Sequence, residues 1–336
     1  MHLLFAYDRE NSYICKSNNI VFFSMSRFVD PFTDTGFKII FGKENKSNEI
    51  LKAFLNDLFE GQPDFDPVEK LHYLNNERSR ESLEDRAILY DIVCETQSGH
   101  RFIVEMQRQP QPYFFGRSIY YVSRAIYEQG LRGIEREKDK WDYGLLPVIG
   151  VFFCDFHVRE LGKELVQHVR LCDTATNKPV GNLMRYAFIQ LPMFRKKEHE
   201  CLTEFDKWIY ILKNMSKMQT MPFTSHRDIF ERLASVSNVA ALTPDERRQY
   251  DYDVKKSRDY HAEMGYARAT ARAEGLAEGL AEGRAEGLAE GRAEGRAEGR
   301  ADEIKRIASN MKHMGISVET IESVTGLSVT EIDNIQ

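Results

Sequence analysis

Three side chains suited to metal binding and water positioning lie close together in the sequence: Asp91, Glu105 and Gln107. Two adjacent carboxylates repel each other, so a chain that keeps them together usually places something positive between them. Mg²⁺ fits this role, because it takes a few carboxylate oxygens and keeps its other positions for water and phosphate. The Gln107 amide can orient a water by hydrogen bonding, although it is uncharged and cannot be a general base.

A β-hairpin is predicted to bring these side chains together. Two alternating apolar runs flank Gln97-Ser98-Gly99, and a three-residue loop with glycine is typical of a hairpin turn. If Thr96 pairs with His100, one side of the hairpin is almost wholly apolar. The other side then carries Asp91 opposite Glu105, with their Cβ atoms about 4.5–5.5 Å apart.

A plain structural interpretation of the same residues stays open. Asp and Glu are common on solvated faces of sheets, and a shift of one residue in register would separate the two carboxylates. Gln107 is also consistent with an ordinary solvated strand residue. The metal-site interpretation gains support because one register explains both the apolar and the polar side of the hairpin.

The order of short motifs resembles a known family. The first motif reads Phe28-Val-Asp-Pro-Phe-Thr-Asp34-Thr-Gly-Phe-Lys38-Ile-Ile-Phe-Gly42, and it is followed by Leu55-Asn-Asp-Leu58 and the Asp91 hairpin. The hairpin pattern resembles the PD-(D/E)XK nuclease superfamily, with Gln107 in place of the final Lys. Taken together, residues 26–300 resemble the recombination-promoting nuclease (Rpn) and transposase family of bacteria.

The resemblance implies an α/β fold: a PD-(D/E)XK restriction-endonuclease-like core with a mixed central sheet flanked by helices, plus a helical C-terminal extension. It implies a deoxyribonuclease (endonuclease) that uses Mg²⁺, with Mn²⁺ as an alternative, and is linked to recombination, mobile elements or defence. Asp91 and Glu105 would bind the metal, and Gln107 would complete the catalytic set. The alternative is a catalytically weak or silent DNA-binding or oligomeric protein on the same fold, which Gln107 and the acidic net charge favour.

A second group of candidate residues lies on a long helix predicted over 113–136. Arg117, Tyr121 and Arg124 fall at i, i+4 and i+7 and therefore share one face. Two cations with an aromatic ring between them suit phosphate contact and base stacking, so these residues are candidates for DNA binding. The alternative is a tyrosine half buried in the core between two solvated arginines.

Three charged residues nearer the N-terminus are further candidates. Glu49 could be a third acid, as in some branches of the superfamily, or an exposed first-turn residue that interacts with the helix dipole. Asp34 and Lys38 belong to the first motif and are candidates for substrate contact.

The pattern of elements is consistent with the implied fold. The predicted elements are helix 47–60, strand 68–74, hairpin 86–107, helix 113–136 and a buried strand over 147–154. Their simplest assembly is a mixed α/β domain around a four-stranded sheet. Two added strands are predicted over 166–171 and 183–191, and an amphipathic helix over 203–217.

Changes in composition divide the chain into five predicted parts. These parts are a non-native or disordered lead (1–24), the nuclease-like domain (25–225), a helical linker (226–272), a tetrad repeat (273–300) and a small helical tail (301–336). Met25 is predicted to be the natural start of the protein, because the family resemblance begins there.

The repeat consists of seven tetrads of Ala-Glu-Gly-Leu or Ala-Glu-Gly-Arg. Each Gly costs roughly 1 kcal/mol relative to Ala in a helix, so a marginal helix is expected that serves as a tether or a weak oligomerising stalk. In the tail, Ser328-Val-Thr-Glu331 is a capping box, and the layout resembles a helix-turn-helix module. The last helix contains no Lys or Arg, which favours a packing or oligomerising module over DNA contact.

Composition narrows the class of protein. The net charge of −6 argues against indiscriminate coating of nucleic acid, although a local basic groove is compatible with it. Five cysteines without a CxxC pair, and no signal peptide, fit a cytoplasmic location. We expect DNA and further copies of the chain as partners, and neither a membrane nor a nucleotide cofactor, because the longest apolar run is short and no glycine-rich phosphate loop is present.

Overall fold

The structure, a computed structural model, describes residues 26–74, 90–137, 142–225 and 227–335, together with two short paired strands near the N-terminus. The predicted lead over 1–24 and the predicted start at Met25 lie outside the described residues, those two strands excepted. The chain falls into two compact units, Met1–Arg258 and Asp259–Gln336. The five predicted sequence parts stay a prediction.

Eight strands and eight α-helices are described. The strands are β1 (Ala6–Tyr7), β2 (Tyr13–Ile14), β3 (Leu71–Tyr73), β4 (Ile92–Thr96), β5 (Arg101–Gln107), β6 (Val148–Cys154), β7 (Val166–Arg170) and β8 (Met184–Gln190). The helices are α1 (Asp34–Phe41), α2 (Glu44–Leu58), α3 (Phe114–Glu137), α4 (Glu204–Asn214), α5 (Asp228–Val236), α6 (Pro244–His313), α7 (Val318–Thr325) and α8 (Val329–Asp333).

The first unit is built on a mixed sheet of six strands in the order β3-β4-β5-β6-β8-β7. The strands β3, β4 and β5 are antiparallel neighbours, whereas β5, β6 and β8 run parallel to one another. The predicted fold class is therefore confirmed, with β7 and β8 widening the expected four-stranded sheet. The apolar run that forms β6 is buried along its whole length, as expected for a central strand.

Helices cover both faces of this sheet. Alternate side chains of β5 point to opposite faces, so Phe102 packs with the cluster that holds α1, α2, α4 and α5, whereas Ile103 packs against α3. Aromatic contacts join the layers: the rings of Phe54 and Phe153 lie 5.1 Å apart on one face, and those of Phe114 and Phe152 lie 5.9 Å apart on the other.

The start of α2 differs from the prediction. The predicted helix begins at residue 47, but α2 begins at Glu44 with Lys43 in the capping position. The Ser47 hydroxyl is buried and donates to the carbonyl of Ile39 at 2.8 Å, so it ties α2 to α1.

The second unit contains most of α6 and the two short helices that follow it. The tetrads are helical within α6, and their side chains are exposed. The predicted helix is thus observed, while its marginal stability and its role in self-association stay predictions. In the tail, Ala308, Ile321 and Ile332 form a small buried core, and the predicted capping box is confirmed by the 2.8 Å bond from the Ser328 N–H to Glu331. Among the described helices, none has a segment long and apolar enough to cross a membrane.

Candidate active site

The hairpin formed by β4 and β5 holds the two candidate carboxylates. The predicted register is confirmed, because Ile92 pairs with Val104 and the Thr96 N–H donates to the carbonyl of His100. Asp91 lies one residue before β4, whereas Glu105 lies within β5.

Two hydrogen bonds tie the carboxylates to each other's backbone. The Asp91 N–H donates to Glu105 Oε1 at 3.0 Å, and the Met106 N–H donates to Asp91 Oδ2 at 2.9 Å. Each side chain is therefore held in place by a backbone N–H on the other side of the hairpin. This reciprocal arrangement fixes the distance between two like charges, and side chains in an ordinary solvated pair would turn away from each other.

Glu105 is buried, with 3% of its surface exposed, because β5 is flanked by β4 and β6 in the sheet. Burial and, to a lesser extent, the charge of Asp91 together raise the pKa of its carboxyl from 4.5 to about 8. A hydrogen bond from the Asp91 N–H, the positive charge of Arg117 and a hydrogen bond from Gln107 lower this pKa in part. A carboxylate in this environment is stabilised in its ionised form by any cation placed beside it.

Burial also raises the pKa of Asp91. The hydrogen bond from the Met106 N–H opposes this effect, and so do the positive charges of Lys38 and Arg117, whereas the negative charge of Asp34 adds to it. The helices α1 and α3 therefore both place charges within electrostatic range of the carboxylate pair.

Gln107 extends the polar group along β5. Its Nε2 lies 3.4 Å from Glu105 Oε2, in the geometry of a long hydrogen bond. An amide has both donor and acceptor atoms, so Gln107 can bind a water on one side while contacting Glu105 on the other.

The helix α3 brings two of its three predicted residues to this site. The guanidinium of Arg117 stacks over the ring of Tyr121 at 5.4 Å, and both residues interact electrostatically with the carboxylates. Tyr121 is half buried, and its ring meets that of Tyr90 edge-on at 5.4 Å. Arg124 takes a different position, because its Nε lies 3.5 Å from Glu128.

The first motif contributes Asp34 and Lys38, which pair with each other at 3.0 Å at the start of α1. Two contacts place this helix near the end of β5. The Phe37 ring lies 5.5 Å from Phe153, which is the strand neighbour of Met106. In addition, Arg108 Nη1 lies 3.5 Å from Asp30 Oδ2.

The other acid considered as a site residue takes a different position. Glu49 lies in α2 and is paired with Lys52 at 2.6 Å. The acid on the N-terminal helices that affects the pKa of Asp91 is Asp34. One signal for this was present in the sequence, namely the position of Asp34 and Lys38 in the first motif.

The donor atoms suit a hard divalent cation that keeps water or phosphate among its ligands. Within the described part of the chain, no group of three or more His, Cys, Asp or Glu side chains is arranged to hold a metal ion. Two carboxylates remain, and each has one oxygen bound to a backbone N–H. Mg²⁺ commonly binds proteins through one or two carboxylates and fills its other positions with water and substrate phosphates, so Asp91 and Glu105 fit it.

Comparison with models of known protein families gives a match over most of the chain. A model of the PD-(D/E)XK nuclease family transposase domain matches residues 31–267, which is more than half of the chain. The chain belongs to this family. The resemblance seen in the motifs is therefore confirmed, and a nuclease-like, transposase-related role follows for the protein. No curated protein and no solved structure gives a significant match to the chain.

Proposed function

We propose that the protein is a metal-dependent DNA endonuclease that hydrolyses phosphodiester bonds at the Asp91 and Glu105 pair. The observation that carries this proposal is the reciprocal hydrogen bonding of the buried Glu105 and the half-buried Asp91 to each other's side of the hairpin. Such a pair is costly to maintain without a compensating cation, and the family of the chain is one of nucleases.

Asp91 and Glu105 would hold Mg²⁺, or Mn²⁺ in its place. When bound, the metal supplies Lewis acidity toward a phosphate and a water of lowered pKa. The carboxylates need to be ionised for this, and the positive charges of Lys38 and Arg117 favour the ionised form of Asp91. The buried position of Glu105 keeps bulk water away from one side of the pair.

Gln107 takes the position that a lysine occupies in much of the superfamily. Its amide orients the attacking water by hydrogen bonding and leaves the net charge of the site unchanged. Arg117 is placed to bind the phosphate that faces the carboxylates, since its guanidinium carries a fixed positive charge and several donors. Recombination, transposition and defence are the processes in which such an activity would serve.

The test is cleavage of supercoiled plasmid by the full-length protein in Mg²⁺, Mn²⁺ or EDTA. Asp91→Asn keeps an acceptor for the Met106 N–H but removes one charge, and Gln107→Ala removes the water-orienting amide. Glu69→Gln is the matched control, because Glu69 is exposed and its backbone contacts Gln97 at the opposite end of the hairpin.

We expect metal-dependent nicking that Asp91→Asn abolishes, that Gln107→Ala slows and that Glu69→Gln leaves unchanged. Nicking at the same rate in the wild type and in Asp91→Asn would contradict the proposed site. Absence of cleavage with both metals would favour the alternative, a DNA-binding protein on a silent nuclease fold.

A further inference from the structure

The exposed apolar side chains of α6 in the second unit lie on one side of the helix. Residues 259–300 belong to this unit, and the structure describes all of them. The large apolar side chains exposed there are Tyr266 (77%), Leu276 (64%), Leu280 (67%) and Leu288 (56%). At about 100° per residue, all four fall within an arc of about 120° around the helix axis. An apolar arc of this width is typical of a helix that packs against another element.

Small residues complete this side of α6 with a period of seven residues. Steps of four and three residues alternate along it, which is the spacing of a helix that winds around a second helix. The series, called the stalk seam below, consists of Ala262, Tyr266, Ala269, Ala273, Leu276, Leu280, Gly283 and Gly287. Every residue of the stalk seam is exposed, and a Cβ added at Gly283 would meet no atom within 4 Å. The stalk seam is therefore open along its whole length.

The stalk seam is complementary in size to a reversed copy of itself. A second copy of α6 can be laid against it in the antiparallel direction, so that each seam residue faces another seam residue. In one such register the facing pairs are Tyr266 with Gly283, Ala269 with Leu280, and Ala273 with Leu276. Each large side chain then meets a small one, which lets the two layers interdigitate. A parallel pair in register would place each ring against the same ring and each glycine against the same glycine, so crowding and gaps would alternate.

The charges along α6 are complementary in the same antiparallel register. Residues 255–272 carry five lysines and arginines and two acids, whereas residues 277–294 carry five glutamates and two arginines. The antiparallel register places these two segments opposite each other, whereas a parallel pair would place like segments together. The ion pairs described within α6 involve only residues before 252 or after 302. The charges of the repeat are therefore free to pair with a second copy.

One specific ion pair follows from this register. Glu263 and Arg284 each come directly after a small residue of the stalk seam and therefore flank it. In the antiparallel register, Glu263 of one copy faces Arg284 of the second copy, and two-fold symmetry makes the same pair twice. Arg284 also interrupts the leucine tetrads at 276, 280 and 288, and the register gives this exception a partner.

We propose that α6 forms an antiparallel helix pair with α6 of a second copy of the chain along the stalk seam. The paired segment runs from Ala262 to Gly287 and is about 38 Å long. The partner is a second copy because the stalk seam is complementary to itself in both size and charge. The glycines of the tetrads weaken an isolated helix, but in the pair they leave room for the large side chains of the second copy.

Sedimentation equilibrium of the full-length protein measures the Kd of the dimer. Ala269→Glu places a charge in the stalk seam opposite Leu280, and Ala271→Glu is the matched control. Ala271 is exposed and lies about 200° from Ala269 around the same helix, so it points away from the seam. Arg284→Glu turns the ion pair into a contact between like charges. The double variant Glu263→Arg with Arg284→Glu restores the pair in the reversed sense.

We expect a dimer for the wild type and for Ala271→Glu. Ala269→Glu should raise the Kd on the order of 100-fold, because each copy buries one unpaired charge. Arg284→Glu should raise the Kd about 3- to 30-fold, and the double variant should return it to the wild-type value. A monomeric wild type, or a dimer that Ala269→Glu leaves unchanged, would overturn the proposal. A double variant that dimerises no better than Arg284→Glu would also overturn it, because only the antiparallel register brings these two residues together.

Discussion

The buried carboxyl of Glu105 predicts how stability depends on pH in the metal-free protein. Burial, with a contribution from the charge of Asp91, raises its pKa from 4.5 to about 8. Between these values the folded state keeps a proton that the unfolded chain has released. The stability that this proton confers is therefore complete below pH 4.5 and is lost as the pH rises through about 8.

The size of this loss of stability follows from the difference between the two pKa values of Glu105. One pH unit corresponds to about 1.4 kcal/mol for one differentially bound proton, so titration from 4.5 to about 8 removes up to about 5 kcal/mol of stability. Glu105→Gln keeps an oxygen that accepts from the Asp91 N–H but eliminates the titrating group. At about 2–4 °C per kcal/mol, the variant should melt on the order of 10 °C above the wild type near pH 8.

Differential scanning fluorimetry in EDTA, from about pH 5 to about pH 9, measures this effect. The difference in Tm between Glu105→Gln and the wild type should grow with pH, and Glu69→Gln should follow the wild type. Mg²⁺ should raise the Tm of the wild type more than that of Glu105→Gln, because the cation compensates the buried charge. Parallel curves for the wild type and Glu105→Gln over the whole pH range would refute the reasoning.

Other contacts lead to predictions of different kinds. Asp57 accepts a 2.7 Å bond from Trp208 Nε1, so Asp57→Ala should lower the unfolding free energy by about 1–3 kcal/mol in urea titrations; an unchanged midpoint would contradict this. Lys38→Met removes a positive charge near the carboxylates and should slow plasmid nicking about 10-fold, and wild-type rates would count against a role for this lysine. Asp253 accepts from the Thr35 hydroxyl at 2.6 Å, so Asp253→Ala should lower both the Tm and the nicking rate, whereas a change in only the Tm would show that α1 keeps its position.

The hairpin could be predicted from sequence because its signals are local. Alternation with a period of two residues fixes which side chains share a face, and the turn at Gly99 fixes the register. No such local signal predicted that β6 pairs with β8, or that β7 lies next to β8 at the edge of the sheet. Long-range packing decides which of these strands are neighbours.

The same limit applies to the candidate site. Asp91 and Glu105 lie on one hairpin, so their proximity follows from pairing alone. The approach of Asp34 depends on the packing of Phe37 against Phe153, which no spacing along the chain encodes. For Tyr120 and Tyr121, the sequence offered two adjacent rings, and a rotation of about 100° around the helix decides which one is exposed.

Because Gln107 stands where much of the superfamily has a lysine, the site has no cation at this position of β5. A cation on β5 would be positioned by the hairpin itself, whereas the cations that favour ionised Asp91 come from α1 and α3. The positions of α1 and α3 depend on contacts outside the hairpin, including the bond between Arg108 and Asp30. The electrostatic balance of the carboxylates is therefore a property of the packed unit, and loosening either helix should weaken the site while the hairpin stays intact.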